Sequence, residues 1–435
     1  MDRKLLILII TTHLVLLFFQ SEAQEPIMFR VAGFATVNGT TSGGEGGDTV
    51  LVSTGNQLQD AINEVRDNPA PRVILVSGVI TPGNSEGLSK MDVKDVDNLT
   101  ILGTGEGAEF NGIGLKVRRA SNIILRNLKV HHVLTGEKDC IGIEGPADHI
   151  WIDHCELYNE FEGVDKDYYD GLLDAKSDCE YLTYSWNYLH DSWKTALVGS
   201  SEGDTHDRKL TMHHNWFYNC NSRLPLFRAS TGHFFNNYYV KIASTAINSR
   251  INACARIENN YFLDTRNPWV SAYSDILGGG EVIGNILENS WFESIENTHE
   301  LPACVADIPY EYEDILHEAS EVPELVMNCA GVGKLDIASG TGHAGPPGQY
   351  GPVIDINPNP VTRNGYIEFT SDGEKAVSVS LVSLDGYRRM LFCGKPPAGT
   401  HRIAINAESF TPGPYLVEMT CGNTRTVSRL VMCRD

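Results

Sequence analysis

The chain has 435 residues, with 34 basic and 56 acidic side chains and a formal net charge of −22. Its length suits two or three domains with real cores, and at 42 % hydrophobic and 21 % charged it is composed as a globular protein, neither disordered nor fibrous. The acidity excludes a general nucleic-acid or anionic-membrane binder, whose affinity comes from a basic surface, and at face value it argues against any polyanionic ligand.

Residues 1–23 read as a secretory signal. Arg3 and Lys4 give a positive start, Leu5 to Phe19 form a mostly apolar run, and Ser21-Glu22-Ala23 offers a small-x-small cleavage site. The run is short for a spanning helix, which needs about 20 apolar residues, and no later segment is long and apolar enough to span. The expected product is secreted or cell-surface, monomeric, and without a membrane span in its mature form. Next, Asn56–Asp67 carries apolar residues at helical spacing (Leu58, Ala61, Ile62, Val65) and is ended by Pro69-Ala-Pro71. Val73–Val79 then reads as a first buried strand, which makes the helix a candidate cap.

A repeat follows. Tyr181–Asn187, Lys209–Asn215, Gly232–Asn237, Arg256–Asn260 and Glu281–Asn285 each alternate apolar positions, reach an Asn, and place a large side chain two residues later. The Asn-to-Asn intervals are 28, 22, 23 and 25, and in two earlier units Leu128 and Cys155 take the Asn place. Short strands with period-2 patterning at this spacing mean one solenoid coil per repeat. In a parallel β-helix, coils stack about 4.8 Å apart, so equivalent Asn side chains lie above one another and satisfy each other. Regularity fades after about Glu293. Residues 339–352, rich in Gly and Pro, read as a linker, giving a β-helix domain over 24–338. Beyond the linker, segments near Tyr366–Phe369, Ala376–Val382, Arg388–Phe392, His401–Ile405, Tyr415–Thr420 and Thr424–Val431 alternate between turn residues, which predicts a small β-sandwich over 353–435. The fold class expected is all-β.

Ten cysteines in an exported chain permit disulfides. Cys304 and Cys329 flank an irregular stretch and form the expected pair. Cys393, Cys421 and Cys433 lie near the C-terminus, where a further pair is open. Cys140, Cys155, Cys179, Cys220 and Cys254 sit in apolar strand-like segments and read as small buried hydrophobes. There is no CxxC motif and so no zinc site of that kind is expected.

Charge is distributed unevenly. From Gly136 to Glu180 there are 14 acids and 3 bases, whereas His190 to Asn260 holds 8 bases and 5 acids. A β-helix puts these segments on neighbouring coils, which is an arrangement for holding a cation and an anion together. Counted from the Asn column, Asp139, Asp170, Asp174, Lys194 and Arg223 fall at roughly matching angular positions. Singly, each reads as a solvated charge or a weak surface partner; their shared register is what argues for a site. Oxygen-only ligands from Asp suit Ca²⁺. On a straight strand Asp170 and Asp174 would be about 13 Å apart, so a turn or bulge must bring both to one ion, or they serve two. His213-His214, as strand neighbours, would face opposite ways and read as packing residues, and His154 as a structural hydrogen-bonding residue. An acid pair for hydrolysis stays open, since separation decides it.

Taken together, Gly33-Phe-Ala-Thr36, Trp151-Ile-Asp-His154, Asp170-Gly-Leu-Leu-Asp-Ala-Lys176, Thr183-Tyr-Ser-Trp-Asn187, Lys194…Gly199-Ser-Ser201 and His213-His-Asn215…Arg223-Leu-Pro-Leu-Phe-Arg228 resemble the pectate lyases of polysaccharide lyase family 1. The resemblance implies a right-handed parallel β-helix and Ca²⁺-dependent β-elimination of de-esterified α-1,4-polygalacturonate to unsaturated oligogalacturonides. By resemblance, Asp139, Asp170 and Asp174 are calcium ligands with Glu137 as a further candidate, Arg223 is the base, and Lys194 and Arg228 grip the uronate carboxylate. The alternatives are a pectin lyase acting on methyl-esterified pectin and a non-catalytic calcium-dependent wall-binding β-helix. The tail, from Asn357-Pro-Asn-Pro360 through Gly413-Pro-Tyr-Leu416 to Arg429-Leu-Val-Met432, resembles the C-terminal sorting domains of type IX secretion, with that machinery as the implied partner. A carbohydrate-binding sandwich or a structural appendage are the other readings of the tail.

Overall fold

The structure, a computed structural model, describes residues 31–294, 301–335 and 354–433, the last without 372, 374, 376, 384–387, 408–409, 411 and 422–423. The expected signal (1–23) and linker (339–352) lie outside the described residues. Among those described, no helix is long and apolar enough to cross a membrane.

The repeats form a parallel β-helix. One parallel sheet is built in chain order from Val79–Ile80 to Ile286–Glu288, each coil pairing with the one before it. A second runs through Ile141–Asp153, whose two ends pair with different strand series. The period-2 residues of all coils fill one continuous core. Within it, Phe217, Tyr239 and Phe262 stack in register, with ring centroids 4.8 and 4.5 Å apart.

The Asn column is a hydrogen-bonded ladder. Each Nδ2 donates to the next Oδ1, from Asn187 to Asn215 (3.0 Å), Asn237 (2.9 Å), Asn260 (3.0 Å) and Asn285 (2.9 Å). Cys155 extends the column by donating its backbone N–H to Asn187 Oδ1. The residue before each rung has left-handed backbone: Trp186 φ 55, His214 φ 55, Asn236 φ 51, Asn259 φ 48. That single residue bends the chain sharply from one sheet to the other, and the rung's amide then holds the bend. Asn215→Ala would take the acceptor from the Asn187 backbone N–H and from one Asn187 Nδ2 hydrogen, and the donor from the Tyr184 carbonyl. We expect a loss of about 3 kcal/mol, read as a lowered urea midpoint at unchanged m-value.

The N-terminal cap is a helix over Gly55–Asp67, started by Thr54, whose side chain accepts from Gln57 N–H. Its Leu58, Ala61, Ile62 and Val65 face the core, which covers the otherwise open first coil. The Gly33–Thr36 turn docks on the flank of the solenoid, where Phe34 and Ala35 N–H donate to Thr211 and Thr183 hydroxyls.

The disulfide differs from the expected Cys304–Cys329: the structure joins Cys254 to Cys304. Cys254 pairs in register with Gly279, and residues 302–303 add a further rung beside Gly280. A Cβ on Gly279 would lie 3.0 Å from Cys304 Sγ, so the glycine leaves the gap through which the two sulfurs meet. Alternation within Cys254–Glu258 conceals this. Cys140, Cys155, Cys179 and Cys220 are buried thiols, as expected.

His213 and His214 do not diverge: their Nδ1 atoms are 2.9 Å apart. The strand ends at His213, and the left-handed His214 turns its ring back onto its neighbour. The role is packing all the same, since His214 stacks on Trp186 and bonds His317 at 3.0 Å. His154 bonds Asp153 at 2.6 Å. Burial lowers the pKa of His154, His214 and His233 and takes that of His213 down to about 3. The folded state therefore binds fewer protons than the unfolded chain below about pH 6.5. Stability contributed by these neutral imidazoles is present above that pH and is lost as pH falls toward 3. Melting temperatures should drop steadily between pH 6.5 and 4, and a flat profile there would contradict this account.

The tail forms two antiparallel sheets, Ile354–Asn357, Asn364–Ser371 and Gly399–Asn406 in one, and Arg388–Gly394, Val377–Ser383, Gly413–Cys421 and Thr424–Met432 in the other. They share a core of their own that includes Ile367, Phe369, Val379, Leu381 and Val417. Ile354–Asn357 is a strand the alternation did not indicate.

Candidate active site

The stacking of coils sets the site. Cys140 N–H donates to Gly171 O, Leu172 N–H to Thr195 O, Thr195 N–H to Ser222 O, and Ala196 N–H to Arg223 O. Asp139, Asp170, Lys194 and Arg223 are thereby brought side by side on successive coils, as the register count anticipates. Asp174 stands in the next strand, Leu173–Lys176, opposite Gly142.

Asp139 and Asp174 are both buried, 6 % and 1 % exposed. Asp139 accepts from Gly171 N–H (3.0 Å) and Asp174 from Leu197 N–H (3.0 Å). Between them sits Lys176 Nζ, 3.0 Å from Asp139 and 3.2 Å from Asp174. Burial, then the charge of Asp139, pushes the Asp174 carboxyl up to about 7, and burial raises Asp139 as well. Gly171 makes this approach possible, because a Cβ there would lie 2.3 Å from Asp174 Oδ1. Only Gly171 and Leu172 separate Asp170 from the strand, and they do not bring its carboxylate onto the Asp139–Asp174 pair.

Asp170 stands apart from that pair and is engaged by Lys194 at 3.2 Å, which also binds Asp167 at 2.8 Å. Glu137 pairs with Lys90 and Lys116. Among the described residues, no three carboxylate, imidazole or thiol groups already converge on one point. The donor set nevertheless fits a hard cation: two buried carboxylates repel one another in a glycine-lined cradle, a third lies on the adjacent coil, and every donor is oxygen.

On the coils that follow the acids lie the arginines. Arg223 is half-buried with φ 66, and no carboxylate pairs with its guanidinium among the described residues. Arg228 donates to Gly199 O at 2.7 Å, and its pKa is lowered by burial and then by Arg223. Arg250 lies beside Arg228 in strand register, stacks on Tyr273, and is brought down to about 10 by burial and the two neighbouring arginines.

Two of these charges, Lys176 and Arg250, escaped the sequence reading. The same count would have found them: Arg250 is 10 before Asn260, close to Arg228 at 9 before Asn237, and Lys176 is 11 before Asn187.

The pectate lyase profile matches residues 4–335, and a secretion system C-terminal sorting domain matches 355–433. The chain is 50 % identical over 308 residues to a pectate trisaccharide-lyase of Bacillus licheniformis, covering 71 % of this chain and 88 % of that one. It is 36 % identical over 303 residues to pectate lyase A of Emericella nidulans, covering 69 % and 85 %. Among solved structures, a pectate lyase from Bacillus sp. N165 in complex with trigalacturonate superposes with TM-score 0.64 at 39 % identity, covering 70 % of this chain and 99 % of that one. The sorting domain assigns the protein to the secreted or cell-surface class. With its β-helix and its acidic and arginine clusters on successive coils, the chain belongs to the pectate lyase family of polysaccharide lyases.

Proposed function

We propose that the protein cleaves de-esterified polygalacturonate by calcium-dependent β-elimination, releasing unsaturated oligogalacturonides. The observation that carries this reading is the Arg223 guanidinium, paired with no carboxylate among the described residues and set among Arg228, Arg250 and Lys194 beside a buried acid pair. An acidic polymer meets a locally positive face there despite the net charge of −22.

Asp139 and Asp174, with Asp170 from the adjoining loop, would hold the calcium, and Lys176 is the cation that balances the pair without it. Bound there, calcium supplies charge neutralisation for a uronate carboxylate and acidifies the neighbouring C5–H. Lys194 and Arg228 bind that carboxylate and orient the ring. Arg223, in its neutral form, accepts the C5 proton. The C5–H electron pair becomes the C4–C5 double bond, the C4–O4 bond breaks, and the departing oxygen takes a proton from water. Charge on the carboxylate grows in the transition state, so Lys194 and Arg228 stabilise it more than they stabilise the ground state. Arg250 extends the cationic row by one coil.

The test is ultraviolet absorbance of the unsaturated product. With polygalacturonate and calcium the signal should rise. Chelator should reduce the rate by about 10²-fold or more, and fully methyl-esterified pectin should be a poor substrate. Equal rates with chelator, or a preference for the ester, would overturn the reading, and calcium-dependent binding with no product would point to a binding β-helix.

A further inference from the structure

We infer that Cys329 and Cys393 form a second disulfide, one that ties the β-helix to the C-terminal sandwich. Cys329 ends the helix Val322–Cys329, which lies against the solenoid, and Cys393 lies in the strand Arg388–Gly394 of the sandwich. The two sulfurs lie close enough that each is the largest influence on the other's titration. Both pack with Trp186 and Leu325 in a small apolar cluster that spans the two units. One turn from the thiols, Glu324 and Lys395 form an ion pair at 3.5 Å across the same junction. The arrangement is therefore a seated interface with two facing sulfurs, far apart in sequence and both in an exported chain.

The chemistry has what it needs. Lys334 favours the thiolate of Cys393, whose pKa is lowered chiefly by Cys329. A recess of about 550 Å³ opens beside the pair and is lined by Leu325, Phe392 and Cys393. An oxidant of the protein-disulfide class reaches the sulfur through it. The Cys393 thiolate attacks that disulfide, releasing one thiolate of the oxidant. Cys329, once deprotonated, then displaces the second, so the two cysteines lose two protons and two electrons while the oxidant becomes a dithiol.

The bond has a consequence for the sorting domain. Residues 329 and 393 bracket the whole segment 330–392, so a cut between the two units would not release the tail until the disulfide is reduced.

Peptide mapping of the full-length secreted chain, denatured in the presence of excess alkylating agent and digested without reductant, tests this. Peptides containing Cys329 and Cys393 should be recovered cross-linked, alongside the Cys254–Cys304 pair as an internal control. Recovery of both as alkylated thiols while Cys254–Cys304 is intact would overturn the inference. As a second test, a specific protease site placed within 339–352 should yield one species on a non-reducing gel and two on a reducing gel. In the same background Cys393→Ser should yield two on both. Two non-reduced species from the parent would equally overturn it.

Discussion

Arg223→Lys is expected to lower kcat by about 10²–10⁴-fold while KM changes by no more than a few-fold. The prediction has content because basicity alone points the other way. A lysine loses its proton more readily than an arginine, so if proton affinity were the whole requirement the variant would be the better base at neutral pH. The requirement is also positional. Arg223 is held by its left-handed backbone between the carbonyl contact to Ala196 and the Leu224 N–H bond to Ala246. From there only a long planar group presents a nitrogen edge to the sugar, whereas an ammonium is a single point on a shorter arm. The substrate carboxylate remains gripped by Lys194 and Arg228, so binding should largely survive. Steady-state kinetics at neutral pH on both proteins tests this. Near-wild-type kcat for the lysine variant at neutral pH would remove Arg223 from the role of base.

Asp174→Asn should separate activity from stability. Calcium-dependent turnover is expected to fall by about 10²–10³-fold, while the melting temperature in chelator stays level or rises. The carboxylate is buried, 1 % exposed, and is held against the charge of Asp139. An amide of the same shape removes that repulsion and still accepts from Leu197 N–H, and Lys176 keeps Asp139 as its partner. Two like charges in a low-dielectric cradle oppose one another, and a divalent cation held there would offset both. Calorimetric titration with calcium and thermal melts in chelator give the two readouts. Calcium affinity within a few-fold of wild type would exclude Asp174 as a ligand, and a melting point several degrees lower would mean that the carboxylate is structural.

Much of this was legible in residue order. The coil length, the Asn ladder, the capping helix and most tail strands follow from local alternation and turn residues. Each coil repeats the same short-range pattern, and Asn is satisfied in a core only when its neighbour is Asn as well. The matching angular positions of Asp139, Asp170, Lys194 and Arg223 could be counted for the same reason. The doublets Asn236-Asn237 and Asn259-Asn260 also carried a signal that went unread, namely a left-handed residue before each rung.

A net charge of −22 by itself argues against an acidic substrate, but the residue order segregates acids and bases onto neighbouring coils and so leaves a locally positive stretch. Sequence by itself determined the β-helix, its register and the class of chemistry, because these depend on periodicity and on charge counted per coil. Tertiary structure alone decided that the Lys176 ammonium bridges Asp139 and Asp174, that Cys254 rather than Cys329 meets Cys304, and that His213 and His214 touch. Those contacts turn on the angle of one left-handed bend and on the space left by glycines at 171 and 279, and neither is expressed in the spacing between residues.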